Sequence, residues 1–368
     1  MPSWNDFPPD YRAAEVRAIR AAVLAGECVS VVGLSGAGKS NLLGFLNGAQ
    51  SPGKIACVFV DGNRMRESAP GALLEVMLRA LEGGGESKAA LALDALDSAI
   101  NRRLQASAVP LSFLMDLSPV FSRGEGWAGD PAAAGNLRAL RDSHKYRLTY
   151  VVATRRPLPG PTEFSELFYA HTLWLGPLTE SDARWNVARF AERKGLAWDL
   201  DSIAPRLMEF SGGYPSFLRA ACEACAEGSP PDSDSLAAHP AVRRRLEEFW
   251  SDNPTDEELK LAGLDVLPLL NTGRPPHFDT VGLTAKESSL LEYLQTHAGT
   301  VCVKDDLIRA VWPEDKILER GVRDDSLAQL VRRLREKIEP DPANPRHILT
   351  VSGRGYRFAD DSKGGSHA

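Results

Sequence analysis

The sequence predicts an α/β fold, a parallel sheet flanked by helices and covered by a helical lid, followed by a smaller α+β unit at the carboxyl end. Three observations predict it. A β-branched run, Cys28-Val29-Ser30-Val31-Val32, leads directly into Gly33-Leu34-Ser35-Gly36-Ala37-Gly38-Lys39-Ser40, a complete G-x-x-x-x-G-K-[ST] match. Near-continuous apolar runs then recur with helical segments between them, as strands buried on both faces of a parallel sheet require. In the last hundred residues, helical patterns give way to strand, tight turn and strand with an arginine at the tip.

At 368 residues the chain is long enough for two or three compact domains. Its 43% hydrophobic and 25% charged residues exclude a disordered or fibrous protein. The start, Met1-Pro2-Ser3-Trp4-Asn5-Asp6-Phe7-Pro8, lacks the basic patch and apolar run of a secretory signal, and no apolar stretch is long enough to cross a bilayer. A cytoplasmic protein without membrane contact is expected. Five cysteines make no disulfide framework, and Cys222 and Cys225, at helical spacing, share a face without a second pair to complete a zinc set. The net charge of −6 argues against a chain that is basic throughout, yet residues 326–358 carry seven basic and three acidic side chains, a local positive surface.

The glycine-rich loop is the first site. The run 41–46 continues at helical spacing, so strand, loop and helix follow in order. Gly33, Ser35, Gly36, Ala37, Gly38, Lys39, Ser40 and Asn41 are the expected nucleotide ligands: backbone N–H groups and the helix N-terminus cradle phosphate, Lys39 neutralises β/γ charge, and Ser40 coordinates Mg²⁺. Further strands are read at 55–61, 111–116 and 148–154. Asp116, at a strand's carboxyl end, is expected to hold the Mg²⁺ through water, and Thr154 and Arg155 to sense or clamp a γ-phosphate.

Leu175-Gly176-Pro177-Leu178-Thr179 starts the lid, and Ser211-Gly212-Gly213-Tyr214-Pro215 precedes a helix over 216–225. Together with the P-loop, the Asp116 strand and the Thr154-Arg155 strand end, these residues resemble the STAND and origin-recognition-type branch of the AAA+ ATPases over roughly 10–250. The resemblance implies an ATP/ADP switch in which core and lid close over the nucleotide and Pro215 packs near the adenine. The segment Asp116-Leu117-Ser118-Pro119 departs from the family's pattern, because no second acid follows the aspartate to polarise water. Slow hydrolysis or binding alone is expected, with Asp61 or Glu125 as substitutes for the base.

Breaker-rich stretches at 228–235 and 271–276 separate the lid helices from a helical connection, with patterns over 242–250 and 257–264, and the connection from the last domain. The expected domains are 1–176 (nucleotide-binding core), 177–270 (helical lid and connecting region) and 276–362 (DNA-binding domain). In the last, Thr284 and Glu287 form a T-x-x-E capping box before Leu290, Leu291 and Leu294, a short helix fits 304–312 before Pro313, and a third runs from about 326 to 338. Leu327, Leu330, Val331, Leu334 and Ile338 make its apolar stripe, leaving Ser326, Gln329, Arg332, Arg333 and Arg335 toward solvent or phosphate. Asp324 and Asp325 read as caps.

Three helices and a basic-tipped hairpin make a winged helix. Leu283-Thr284 with Glu287, Val311-Trp312-Pro313, Arg332-Arg333-Leu334-Arg335 and Gly353-Arg354-Gly355-Tyr356-Arg357-Phe358 resemble the OmpR/PhoB type of response regulators. That resemblance implies double-stranded DNA as partner. Gln329 and Arg332 would reach base edges in the major groove, Arg333 the backbone phosphates and Arg354 the minor groove, with Ser326 and Thr350 also expected on the DNA. The strand-rich lead-in is reduced to about 276–281 and the receiver domain is absent, so the input differs. The preferred function is a nucleotide-gated transcription regulator that self-associates or takes its signal from a partner. Its rivals are a DNA-anchored ATPase that remodels, loads a partner or acts against mobile elements, and a winged helix used to bind protein.

Overall fold

A computed structural model of the chain describes residues 6–48, 55–65, 71–83, 92–118, 132–158, 163–271, 283–312, 324–339 and 341–359. Glu125, Pro313 and the lead-in at 276–281 lie outside them, as do the side chains of Asp324 and Asp325. The chain divides into two compact units, 1–272 and 273–368.

The first unit begins with α1 (Ala13–Leu24), β1 (Val29–Val32), α2 (Lys39–Gly48), β2 (Ala56–Asp61), α3 (Ala72–Glu82), α4 (Ala92–Ala106) and β3 (Leu111–Asp116). There follow α5 (Ala132–Ser143), β4 (Leu148–Thr154), α6 (Glu163–Leu167) and β5 (Thr172–Trp174). The strands form a five-stranded sheet in the order β2-β3-β4-β1-β5, parallel throughout. Every residue of β1, β3 and β4 is buried, which is why these strands read as unbroken apolar runs. Side chains alternate between two cores. Val31, Val151, Ala153 and Leu114 pack toward α1, α2 and the lid, while Phe113, Met115, Tyr150 and Val152 pack toward α3, α4 and α5.

Register brings chemistry to one edge. Asp61 pairs with Asp116, Asp116 with Ala153, and Val32 with both Thr154 and Trp174, so the P-loop leaves β1 at the edge where Asp116 and Thr154 end their strands. Ligands of open parallel sheets bind outside the carboxyl ends of the strands.

The lid follows as α7 (Glu180–Lys194), α8 (Leu200–Ser211), α9 (Pro215–Ala226), α10 (Ser233–Ala238), α11 (Pro240–Trp250) and α12 (Asp256–Leu261). Thr179 caps α7 by accepting from Asp182 N, and α8 ends at Gly212 with φ 58°, a conformation glycine adopts without strain. Proline at the first position of α9 and of α11 suits helix starts, where its missing N–H has no partner to lose. The loop expected over 228–235 is shorter than its composition suggested, because Asp232 accepts from Ser235 N and starts α10 at Ser233.

The second unit contains α13 (Ala285–Thr296), β6 (Val301–Val303), α14 (Lys304–Val311), α15 (Asp324–Ile338), β7 (Ile348–Val351) and β8 (Gly355–Phe358). The Thr284/Glu287 capping box is formed in both directions. The strands make an antiparallel sheet ordered β6-β8-β7. The apolar stripe of α15 is buried against Leu290, Leu294, Leu307, Trp312, Tyr356 and Phe358. A Cβ on Gly355 would stand 2.1 Å from Cys302 O, so β6 and β8 approach as closely as they do only through glycine.

Candidate functional site

The P-loop is drawn tight by its own groups. Gly33 N donates to Thr154 O at 3.1 Å, Ala37 N donates to Leu34 O at 3.2 Å, and Gly36 and Gly38 sit at φ 83° and 89°. Helix α2 begins at Lys39, so the loop ends at the positive end of a helix dipole. Lys39, 7% exposed, folds over the loop and donates from Nζ to Gly33 O at 2.6 Å and Leu34 O at 3.2 Å. Burial pushes its ammonium pKa down to about 8, although Asp116 acts in the opposite direction.

Ser40 Oγ donates to Asp116 Oδ2, and Ser118 N donates to Asp116 Oδ1 at 3.2 Å. A hydroxyl and a buried carboxylate in contact are hard oxygen donors of the kind that would suit Mg²⁺. Among the described residues no cluster of three or more His, Cys, Asp or Glu side chains could hold a metal. Asp61, the described substitute base, is committed to its own turn, accepting from Asn63 N and Nδ2 at 3.0 and 2.9 Å.

The lid rests on the loop. Tyr214, wholly buried, donates from its hydroxyl to Ser35 O at 2.8 Å, and Ser216 N donates to Gly36 O at 3.2 Å. Burial raises the Tyr214 pKa, so it remains a donor. A Cβ on Gly36 would meet Ser216 Oγ at 2.1 Å, and one on Gly38 would lie 3.5 Å from Pro215. Pro215 thus packs on the P-loop itself. Asn41 is exposed at the start of α2.

Arg12 is the residue that sequence reasoning missed. It is 1% exposed and holds three elements together: Nη2 donates to Ala37 O of the loop (3.1 Å) and Gly176 O after β5 (2.9 Å), while its backbone N donates to Asp182 Oδ2 on α7 (3.2 Å). Phe7, Tyr11, Phe45 and Trp185 form a ring cluster beside it, with centroids 4.5–6.4 Å apart. Partners 25 to 170 residues away leave no local signal for it.

At the strand edge the two expected γ-phosphate residues already have partners within the protein. Thr154, expected to offer its hydroxyl to a γ-phosphate, is fully buried and donates to Arg156 O at 2.7 Å, closing the turn after β4. Arg155, expected to sense or clamp the same phosphate, forms an ion pair with Asp252. Arg156 beside it donates to Asp252 O (2.7 Å) and Asn253 O (3.0 Å) and lies 3.5 Å from the Glu258 carboxylate.

In the second unit Ser326, Gln329, Arg332, Arg333, Thr350 and Arg354 are all exposed. Arg332, 81% exposed, makes an i,i+4 pair with Glu336 at 3.0 Å, a contact easily exchanged for a phosphate or base edge. Arg335, expected toward solvent or phosphate, instead locks the hairpin to the helix. Its Nε donates to Ile348 O at 3.0 Å, its Nη2 to Thr350 Oγ1 at 2.9 Å, and its guanidinium lies over the Tyr356 ring at 5.9 Å. Thr350 is therefore already an acceptor for Arg335. Glu339 fixes the start of β7 by accepting from the N–H groups of Arg346, His347 and Ile348 at 2.7–3.1 Å. Burial alone would raise the Glu287 carboxyl, but hydrogen bonds from Lys337 (2.6 Å) and Thr284 outweigh it and hold the group below its usual range.

A sheet edge with a phosphate loop under a helical lid defines a P-loop protein, and the second unit defines a winged helix. Residues 279–358 match the family described as transcriptional regulatory protein, C terminal. Within this stretch the chain is similar to the sensory transduction protein RegX3 of Mycobacterium bovis, 46% identical over 80 residues that make up 22% of this chain and 34% of that protein. It is also similar to the transcriptional regulatory protein YvrH of Bacillus subtilis, 36% identical over 86 residues, 23% and 35% of the two chains. The chain spans about a third of the length of these curated relatives. Among solved structures it is similar to the Aeropyrum pernix ORC2 protein in ADPNP-ADP complexes (TM-score 0.45, 15% identity, 96% of this chain and 92% of that one) and to the Aeropyrum pernix ORC1 protein in complex with DNA (TM-score 0.44, 14% identity, 98% and 92%). Those likenesses are loose, and the site is defined by its own residues. Among the described residues no helix is long and apolar enough to cross a membrane.

Proposed function

We propose that this chain is an ATP- and ADP-binding switch that binds double-stranded DNA through its winged helix and regulates transcription according to the nucleotide it holds. The carrying observation is the pairing, on one chain, of a P-loop gripped by its lid through Tyr214 and Ser216 with an α15 whose exposed face presents Gln329, Arg332 and Arg333. Bound Mg²⁺-nucleotide supplies the negative charge that the loop is built to receive. Ser40 and Asp116 would hold the metal. Lys39 would leave the Gly33 and Leu34 carbonyls for phosphate oxygens, and Pro215 and Tyr214 would carry the consequence into α9, because they touch the loop directly.

Turnover should be slow. Asp116 is followed by Leu117 and Ser118, and Asp61 is tied to Asn63, so neither of these two strand-end acids is placed to orient the attacking water. This favours a switch over the DNA-anchored motor. On DNA, Arg332 and Gln329 would read base edges and Arg333 and Arg354 would hold phosphate and the minor groove, while Arg335 keeps the wing in place. Binding of labelled ADP and of labelled operator DNA to the full chain tests the reading. Lys39→Ala should weaken the first at least tenfold and spare nucleotide-independent DNA binding, and Arg332→Ala should weaken the second and spare ADP. ADP affinity that is unchanged in Lys39→Ala contradicts it.

A further inference from the structure

Asp252 sits at the corner between α11 and α12, distant in sequence from the P-loop, yet it reaches the phosphate edge. One carboxylate oxygen, Oδ1, pairs with Arg155 at the end of β4. The other, Oδ2, is buried with no hydrogen-bond partner. Asp252 and Arg155 both act on the charge of Lys39, in opposite directions, and Lys39 is the residue that reaches the β/γ end of a bound nucleotide. An acid at that end is the wrong group for a phosphate site, because it spends the cation that a terminal phosphate would need and adds a like charge beside it.

The acid is held there from several directions. Arg156 grips the corner through Asp252 O and Asn253 O and lies beside Glu258, whose other carboxylate oxygen caps α12 by accepting from Thr255 N at 2.8 Å. Asn253 takes φ 47° and donates to Trp250 O at 2.9 Å, so the corner is a tight turn on the end of α11. Phe249, one turn earlier, packs on Tyr214 and Phe217 of the lid with centroids 5.8 and 5.3 Å away, and Tyr214 is the residue bonded to the P-loop. Lid, loop and corner are one connected arrangement.

We propose that Asp252 is a specificity-determining residue for the nucleotide: it occupies the Arg155 guanidinium at the γ-phosphate end of the cradle, so this arrangement accepts a nucleoside diphosphate and rejects a triphosphate until the α11–α12 corner withdraws. The inference rests on the reading of the P-loop as a nucleotide site. Between ADP and ATP the difference is one phosphoryl group, and Asp252 is the acid that would face it. Release of the corner would move α12.

Isothermal titration of the full chain with ADP and with a non-hydrolysable ATP analogue tests it in wild type, Asp252→Asn and Arg156→Ala. Wild type should bind ADP at least tenfold more tightly than the analogue. Asp252→Asn keeps the shape and removes the charge; it should bring the two affinities within threefold of each other by strengthening the analogue alone. Arg156→Ala, which loosens the corner from outside the site, should shift the ratio in the same direction. A ratio unchanged in Asp252→Asn, with ADP affinity intact, overturns the inference while the nucleotide reading stands. Equal weakening of both nucleotides also overturns it, since that is what a purely structural role would produce. Wild type that binds neither nucleotide removes the nucleotide reading and this inference together.

Discussion

The P-loop edge and the winged-helix face are both built from basic side chains, and they treat them in opposite ways. At the loop the cations are buried or already engaged: Lys39 on Gly33 and Leu34 carbonyls, Arg12 on Ala37 and Gly176, Arg155 and Arg156 on the α11–α12 corner. On α15 and the hairpin, Arg332, Arg333 and Arg354 stand in solvent, while Arg335 and Lys337 are spent on structure. A site for one small anion has to be preorganised, since a few contacts must supply its whole affinity. A surface for a polyanion gains from many weak contacts and counterion release, so its cations remain exposed.

The sharpest break in this comparison comes from Lys39→Ala. Loss of a buried charge-assisted contact of about 1.5–3 kcal/mol should weaken ADP by roughly 10- to 150-fold in equilibrium titration, and leave the salt dependence of DNA binding untouched. Arg12→Ala should lower the stability of the first unit by about 2–4 kcal/mol in denaturant unfolding, because it orphans buried carbonyls on two elements at once. Within α15 the contrast narrows to neighbours. Arg333→Ala should weaken DNA uniformly across sequences and reduce the slope of log affinity against log salt by about 1, whereas Arg332→Ala should lose about 1–3 kcal/mol at its preferred base. Arg335→Ala should destabilise the hairpin by about 1–2 kcal/mol through its lost hydrogen bonds, visible in the melting temperature of the second unit.

The smallest expected effects are in pH. The Lys39 pKa lies below that of an exposed lysine, at about 8, so the ammonium that phosphate needs is lost as pH rises through 8, and ADP affinity should fall by up to about tenfold per unit above it. The Glu287 carboxyl lies below its usual range, so its contribution to the second unit is present above the unfolded pKa, near about 4.3, and is lost as pH falls through the lower folded value. A melting temperature of Glu287→Gln that tracks wild type at low pH and falls behind it near neutral would sharpen that point.

Much of this was legible in the sequence because it is local. The Gly33–Ser40 motif, Asp116 at a strand end, the Thr284/Glu287 capping box and the buried stripe of α15 are each written within a few consecutive residues or one helical period. What escaped is written across distance. Arg12 meets Gly176 and Asp182 at separations of 164 and 170 residues, and Arg155 meets Asp252 at 97, where no periodicity or motif reports the partner. The three-residue strands β5 and β6 are too short to show alternation and form only because β1 and β8 offer them edges. Arg335 looked like its neighbours on the helix because a sequence shows which face a residue occupies and not what folds back over it.

The central claim, that the nucleotide sets the DNA affinity, is tested most directly by fluorescence anisotropy of the full chain on DNA from its own upstream region. The titration is run at one fixed salt concentration without nucleotide, with ADP and with a non-hydrolysable ATP analogue. The account predicts a change of about tenfold between the ADP and ATP-analogue curves, a coupling of about 1.4 kcal/mol, and its disappearance in Lys39→Ala. Three overlaid curves from wild-type protein that demonstrably binds both nucleotides would contradict it.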